Sequence, residues 1–544
     1  MGVPPIEMQI YNVDKSLDRF LKKNRIGENQ RECRKAFVGL KRLVIGWMRG
    51  LSHESNVHPS VKVMPFGSYR LGVQLTSSDI DVLVVAPKHV SREEFFDSFL
   101  QILNTNQHVS KLIPIQRALV PLIKVTYKNV EMDVLFAQLA LPVIPKELDI
   151  TKEYLLHGVD EQTLNSLNGC RVAGYILKLM KGRASIFKLA LRAIKFWAMR
   201  RGIYSTALGY FGGVTWAIML AQIFKLHPDA SATSLIYAFF TQFSEWNWDT
   251  PVELVVSTQE NKPLTIEDFI IAGRMRSKTN FDHNHAMSVL TPIYRQMNTS
   301  FNVSKFTKII IKGALKNGLR ICKKTVQYVW SWEIFFREVE FFKKYHHYLC
   351  LIMMANTEED EVKYTGFMQA RIRYLIKSLG ENPRLLMAHI NPKKFVPLPS
   401  ASFTGDLKLP VCAVWFIGLR YEKNSNKELD FFEEFGKFTE LLARESQTSN
   451  MDTVNIGVHL QRIPRDEVQE FISLSDSNLT SSTPSSSDPP LQKGAEIVPN
   501  SAPVAEELSE STSAQQSSTT MAVNSTAPKP GQTWAQMAQS SSKK

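Results

Sequence analysis

Two carboxylates set at the head of an apolar strand restrict this chain more than any other feature. The run Ser78-Asp79-Ile80-Asp81-Val-Leu-Val-Val-Ala86 reads as a buried strand, and on a strand residues i and i+2 face the same side. Asp79 and Asp81 therefore present their carboxylates together while Ile80, Val82 and Val84 face a core. A buried charge without a partner is costly, so the pair is expected to hold a cation; hard Mg²⁺ takes carboxylate oxygens alongside substrate phosphates. Two ions side by side need a further ligand, and Asp133 in Val130-Glu-Met-Asp-Val-Leu-Phe136 repeats the pattern of a carboxylate on an apolar strand. Upstream, Gly67-Ser68 in Phe66-Gly-Ser-Tyr-Arg-Leu-Gly72 is placed to open a helix, offering backbone N–H groups and a hydroxyl to phosphate oxygens. A lone Asp-x-Asp is most often a strand-end feature; the weight lies in the three pieces together.

Around these residues, apolar runs at Asp81–Ala86, Leu122–Val125 and Val130–Phe136 alternate with a helical pattern at Arg92–Leu103, which predicts a mixed α/β unit. Residues 15–50 predict a helical lead-in through Leu17, Phe20 and Leu21, then Phe37, Leu40, Leu43 and Val44. The pattern is mainly helical from Cys170 to Trp330, and Val411–Tyr421 reads as a strand. The expected organisation is an α+β multidomain chain: an N-terminal helical segment packing with the central domain (1–50), a catalytic unit (51–168), a central helical domain (169–332), a further folded domain (333–474) and a tail (475–544). The tail is rich in Ser, Thr, Pro, Ala and Gln with Trp534 its one aromatic, a composition that predicts disorder. Within it, Gly531-Gln-Thr-Trp-Ala-Gln-Met-Ala538 is an isolated apolar island. The uncharged stretch Gly202–Phe224 is broken by Gly209, Gly212 and Gly213, so Val214–Phe224 is expected to be a helix buried in protein, not in a membrane.

The chain has 544 residues and a formal charge of +13. Because the tail holds four Lys against six Asp and Glu, the body before it carries +15, a balance that favours a polyanionic partner. The cysteines at 33, 170, 322, 350 and 412 form no CxxC pair, which argues against a zinc framework or disulfide scaffold and for a reducing compartment. The first residues lack an apolar signal core, and Ile6 stands where a myristoylation signal wants Ser or Thr, so neither export nor a lipid anchor is expected. His283 and His285 lack a third ligand at useful spacing and are expected to be a surface pair.

Lys188, Arg192, Lys195 and Met199 fall on one stripe of a helix expected over Ile186–Arg201; such a basic face is usually solvated. The Gly-Ser turn, the Asp-x-Asp strand and the third strand aspartate form the pattern of the DNA-polymerase-β-like nucleotidyltransferases. Phe66-Gly-Ser-Tyr-Arg-Leu-Gly-Val73, Ser166-Leu-Asn-Gly-Cys-Arg-Val172, Leu191-Arg-Ala-Ile-Lys-Phe-Trp-Ala198, Ile203-Tyr-Ser205 and Gly212-Gly-Val-Thr-Trp216 resemble, in order, the nuclear poly(A) polymerases of eukaryotes. The likeness runs from about residue 5 to 474.

The resemblance implies template-independent addition of AMP from ATP to the 3′ end of mRNA, with release of pyrophosphate. Asp79 and Asp81 would hold two Mg²⁺ or Mn²⁺ ions, and Asp133 would join the one that activates the RNA 3′-hydroxyl. Phe66, Gly67, Ser68, Asn168, Lys195, Tyr204, Gly213 and Val214 would complete the ATP site, and the segment Thr299–Ser304 resembles one that approaches the nucleotide. It also implies an RNA-recognition-like α/β domain at 333–474, nuclear residence, a monomeric enzyme, and pre-mRNA and cleavage-and-polyadenylation specificity factors as partners. In that domain Arg371, Arg373 and Lys377 fall on one expected helix near Tyr364, Phe367, Tyr374 and Trp415, giving charges for phosphates and rings for bases. The chain departs from the family at Met199, where a second Lys is usual, at Thr206, where an Asn is usual, and at Gln74-Leu75, where His-Thr is usual. Met199 and Thr206 leave open an RNA nucleotidyltransferase with altered base preference, and the basic body and the tail leave open a weakly active RNA-binding regulatory paralogue.

Overall fold

In the computed structural model, the described residues are 6–26, 30–51, 60–75, 78–254, 285–293, 296–327, 331–398, 401, 403, 410–422, 430–448 and 456–473. The expected tail, its apolar island and His283 lie outside them. The chain divides into two compact units, the first comprising Met1–Val339 with Gln369–Gly380 and the second Glu340–Met368 with the remainder.

The first unit is organised by five strands: β1 (Lys62–Pro65), β2 (Ile80–Ala86), β3 (Val109–Ile115), β4 (Leu122–Tyr127) and β5 (Val130–Gln138), in the order β1-β2-β5-β4-β3. The β2–β5 pair is parallel and every other pair in this sheet is antiparallel. Strand alternation divides the apolar side chains between two cores. Ile80, Val82 and Val84 pack with Ala36, Leu40, Val44 and Trp47 of the helix Gln30–Leu51 and with Phe95 and Phe99. Leu83, Val85, Leu135 and Ala137 pack on the other face with Leu167 and Cys170 of the helix Glu161–Leu179. Asp81 and Asp133 share the parity of this second set, which aims them toward the side covered by that helix. The helical pattern at Arg92–Leu103 opens on a Ser91/Glu94 capping box and runs through a π-turn at Phe95–Phe99.

The rest of the first unit is mainly helical, with the short parallel pair β6 (Val252–Glu253) and β7 (Val289–Leu290). Helices Ala184–Arg200, Gly213–Leu226, Ala232–Ser244 and Lys305–Val326 surround Trp197, whose ring meets Trp216 edge-on at 6.1 Å and Phe240 at 4.6 Å. The N-terminal helix Ile6–Lys23 joins them through Asp14, whose carboxylate accepts from the backbone N–H groups of Ala232 and Thr233. Val214–Phe224 lies within the buried helix Gly213–Leu226, and among the described residues no helix is long and apolar enough to cross a membrane.

The second unit contains β8 (His347–Ala355), β9 (Leu385–Ile390), β10 (Val411–Tyr421) and β11 (Ile456–Pro464), in the antiparallel order β11-β8-β10-β9, with helices Glu358–Gln369 and Phe432–Thr448. Strand, helix, two strands, helix, strand is the split βαβ arrangement expected of an RNA-recognition-like domain. Trp415, Tyr364 and Phe367 are buried and so form core rather than an exposed stacking platform. The helix Ile372–Leu379 groups with the first unit.

Replacing Trp197 by Ala removes a fully buried ring from the helical core and should cost about 3–5 kcal/mol, read as a lower urea midpoint for the tryptophan-fluorescence transition of the first unit.

Candidate functional site

The registers of β2, β4 and β5 bring the charges together. Asp81 lies directly opposite Asp133 on the β2–β5 pair, and Lys124 lies opposite Asp133 on the β4–β5 pair. The Lys124 ammonium donates to both carboxylate oxygens of Asp133 at 2.8 Å. Asp79 precedes β2 instead of lying within it, because the strand begins at Ile80. Its charge still reaches both other carboxylates. Burial pushes the Asp81 carboxyl up to about 7, aided by the negative charges of Asp79 and Asp133 and opposed by Lys124 and Lys195. Burial also raises Asp133, against the pull of Lys124 and with smaller contributions from Asp79 and Glu131.

The turn before β2 is built to let this group exist. Gly67 opens the one-turn helix Gly67–Leu71 with φ +58°, and a Cβ there would run into the Asp81 carboxylate, so both conformation and space require glycine. The Phe66 N–H donates to the Asp81 carbonyl at 2.9 Å, while its ring lies so close to Gly169 that a Cβ at that position would stand 2.8 Å away. Ser68 follows in the same short helix, and its carbonyl accepts from Val73 N–H at 2.9 Å.

From the helix Ala184–Arg200 comes Lys195, only 2% exposed, its ammonium donating to the Val73 carbonyl at 2.9 Å and lying 5.9 Å from the centre of the Tyr204 ring. Burial lowers Lys195 to about 8 against the opposing pull of Asp81 and Asp79. Its stripe is not a solvated face: Arg192 donates twice to the Gly72 carbonyl, at 3.1 and 2.7 Å, and Lys188 packs along Gly72. Burial and the nearby Asp79 and Asp81 raise the Tyr204 phenol, which stays protonated and able to donate. A Cβ on Gly213 would stand 2.6 Å from the Tyr204 hydroxyl, and Val214 beside it is exposed. Asn168 donates to the Met297 sulfur at 2.6 Å, leaving its buried Oδ1 without a protein partner.

Gly67, Asp79, Asp81, Asp133, Lys195, Tyr204 and Gly213 thus form one neighbourhood. Arg371, Arg373 and Lys377 belong to or flank the helix Ile372–Leu379, which packs against Thr206–Leu208, and there the Arg373 guanidinium turns back onto the Ala370 carbonyl and the Tyr374 hydroxyl. The segment at 299–304 adjoins the Gly213 end, since Thr215 donates to the Thr299 carbonyl and Asn302 donates to the Thr206 carbonyl at 3.0 Å. Met199 is 41% exposed, Thr206 packs its hydroxyl against Gly212, and Gln74 and Leu75 are buried, with the Gln74 amide toward the Cys33 thiol. Sequence reasoning missed Lys124; its signal was the single cation inside the apolar run Leu122-Ile-Lys-Val125.

The donor set suits hard divalent cations: three carboxylates with mutually unfavourable charges, one held up to about 7 by burial and then by the other two. Among the described residues no three acidic, His or Cys side chains are already drawn together as in a filled metal site. Lys124 supplies positive charge at Asp133 through their salt bridge.

Three consecutive family models match the chain: a poly(A) polymerase nucleotidyltransferase domain over residues 6–180, a poly(A) polymerase central domain over 186–338, and a poly(A) polymerase predicted RNA binding domain over 340–403. The chain is 32% identical over 457 residues to a poly(A) polymerase of Dictyostelium discoideum, covering 82% of this chain and 55% of that protein. It is 34% identical over 430 residues to nuclear poly(A) polymerase 1 of Arabidopsis thaliana, covering 76% and 57%. With poly(A) polymerase pla1 of Schizosaccharomyces pombe the identity is 38% over 370 residues, covering 68% and 63%. The chain therefore spans less than two thirds of the length of these relatives. A solved structure of the Cid1 poly(U) polymerase aligns with TM-score 0.40 and 17% identity over 62% of this chain and 100% of that one, a likeness too distant to carry an argument.

The raised Asp81 carboxyl sets a pH dependence. An unfolded Asp releases its proton near 3.8, whereas folded Asp81 keeps it to about 7, so the folded state loses stability as pH climbs through that window and carries the full penalty above it. Without divalent ions, Asp81→Asn should melt higher than the parent at pH 8, with the difference shrinking toward pH 4. Adding Mn²⁺ should raise the melting temperature of the parent and leave Asp81→Asn nearly unmoved.

Proposed function

Because the chain belongs to the poly(A) polymerase family, we propose that it is a template-independent polynucleotide adenylyltransferase that transfers AMP from ATP to an RNA 3′ end and releases pyrophosphate. The observation that carries this reading is the pairing of Asp81 with Asp133 across parallel strands, beside Gly67, whose missing side chain leaves room for the Asp81 carboxylate. In the reaction the 3′-oxygen forms a bond to the α-phosphorus, the bond to the pyrophosphate oxygen breaks, and the hydroxyl proton passes to solvent.

Asp79, Asp81 and Asp133 would hold two Mg²⁺ or Mn²⁺ ions, which when bound lower the pKa of the attacking hydroxyl and neutralise charge on the leaving pyrophosphate. Lys195, mostly cationic at pH 7 because its value is about 8, supplies a fixed positive charge to the triphosphate from a site closed to water. Tyr204 keeps its phenolic proton and can donate it in a hydrogen bond near the same phosphates. The Asn168 Oδ1, buried and without a protein partner, is available to accept from a ribose hydroxyl. Gly213 lets the backbone come close to the nucleotide, with Val214 exposed beside it for the base. Gly67 and Ser68 present the turn, with Phe66 anchored beneath. Nuclear residence and recruitment through cleavage-and-polyadenylation factors belong to the same proposal and draw on relatives named as nuclear.

Asp81→Ala should reduce primer extension by about 10³-fold or more, the scale of losing several kcal/mol of transition-state charge stabilisation, while retention of oligo(A) on the protein stays within about twofold. Extension by Asp81→Ala at the parent rate would remove the reading. With each nucleotide offered alone, ATP should be strongly preferred. Equal use of all four would favour the altered-preference alternative, to which Thr206 lends support by presenting a hydroxyl against Gly212 and no amide for a base edge.

A further inference from the structure

The helix Lys305–Val326 carries Lys305, Lys308, Lys312, Lys316, Arg320, Lys323 and Lys324 and contains no Asp or Glu. One side of it is core: Phe306, Ile311, Leu315, Gly318 and Ile321 are buried, and a Cβ on Gly318 would collide with the ring of Phe240. At about 100° per residue, Lys305, Lys312, Lys316 and Lys323 fall within about 40° of one another, with Arg320 close beside them. All five are exposed. At about 1.5 Å per residue they form a straight row about 27 Å long.

This row works against the helix that bears it. Lys305 sits at the positive end of the helix dipole, and Lys312/Lys316 and Lys316/Arg320 are like charges one turn apart, an unfavourable spacing. No carboxylate in the helix offsets them; Lys308, half-buried and as far to one side of the four lysines as Arg320 is to the other, reaches Asp249 at 3.7 Å. The positive character continues at the far end, where Arg337 and Arg320 add to the burial that pushes the Arg201 guanidinium down, and the Arg201 Nε has no hydrogen-bond partner. Nearby, Arg200 pairs with Glu338 at 3.0 Å. The near end begins at Ser304, directly after the segment in which Asn302 holds the Thr206 carbonyl and Thr299 accepts from Thr215. The row therefore starts next to the segment at 299–304 that adjoins the Gly213 end, and its far end lies within reach of the charge of Arg201, three residues before Tyr204.

We propose that the exposed face of the helix Lys305–Val326 is a sequence-independent track for the phosphate backbone of single-stranded RNA upstream of the 3′ end. A linear run of cations with one exposed apolar residue, Ile309, matches a polyphosphate chain; a membrane-binding face would carry a broad apolar side with aromatic residues. The choice of RNA as the polyanion rests on the polymerase reading; the existence of the track does not.

The test uses the full chain with Lys305, Lys312, Lys316 and Lys323 all changed to Gln, and a companion with the same four changed to Arg. Affinity is measured for oligo(A) of about 5 and about 25 nucleotides, lengths on either side of ordinary single-strand site sizes, across a range of monovalent salt. For the long RNA the slope of log affinity against log salt should be shallower by about 3 in the Gln variant, at about 0.7 for each phosphate that a lysine no longer neutralises. The short RNA and single-nucleotide addition to a saturating short primer should be unchanged, and the Arg variant should keep the parent slope. An unchanged slope for long RNA overturns the track, as does an equal loss for both lengths or an Arg variant as impaired as the Gln one. A parent chain that extends no primer but still shows the length-dependent slope difference defeats the polymerase reading and leaves the track standing.

Discussion

The structure of the first unit turns on two like charges facing each other across a parallel strand pair. Asp81 and Asp133 are fixed opposite one another by the β2–β5 register, in surroundings that penalise both when ionised. Such an arrangement persists only where the surrounding fold over-determines it. The two flanking cores do so, gripping β2 from both faces with residues of strict alternation. Cations then converge from separate elements, Lys124 from β4 and Lys195 from the helix Ala184–Arg200, each leaning on a group whose position the fold sets.

The glycines near the site follow from the same crowding. Gly67 yields its side-chain volume to Asp81 and Gly213 yields its own to Tyr204, so at both places the backbone comes close to the site's side chains. Lys195 is held by the Val73 carbonyl rather than left to solvent, and Arg192 and Lys188 secure the adjoining Gly72. A stripe that looks like a basic face in the sequence is thus a clamp between the helical part and the turn leading into β2. Charge here serves architecture and chemistry together, with Lys195 at the junction.

What was legible in the sequence was what depends on local pattern. The apolar strand after Asp79, the third carboxylate on Val130–Phe136 and the helix at Arg92–Leu103 follow from period and composition, and the structure has β2, β5 and a π-interrupted helix there. The strand β3 was missed because its residues Val109–Ile115 are mostly half-exposed and mixed in character, and β1 because four residues give too short a period to read. In β8 an almost uniformly buried run, His347–Ala355, offers no alternation to tell strand from helix. The partners of the site were out of reach for a different reason. That Lys124 faces Asp133, or that the Val73 carbonyl receives Lys195, depends on strand register and helix packing between residues far apart in the chain, which no local pattern encodes. The placement of Asp79 just before the strand, instead of on it, is the same kind of information.

If the carboxylates of Asp79, Asp81 and Asp133 form one divalent-cation site that the ATP-bound protein fills, manganese itself can report on it. Electron paramagnetic resonance of Mn²⁺ titrated into the full chain with a non-hydrolysable ATP analogue should show two tightly held ions per chain, coupled to each other, with the coupling lost in Asp133→Asn. No tight Mn²⁺ in the parent protein, or an unaltered coupled pair in Asp133→Asn, would contradict the shared site.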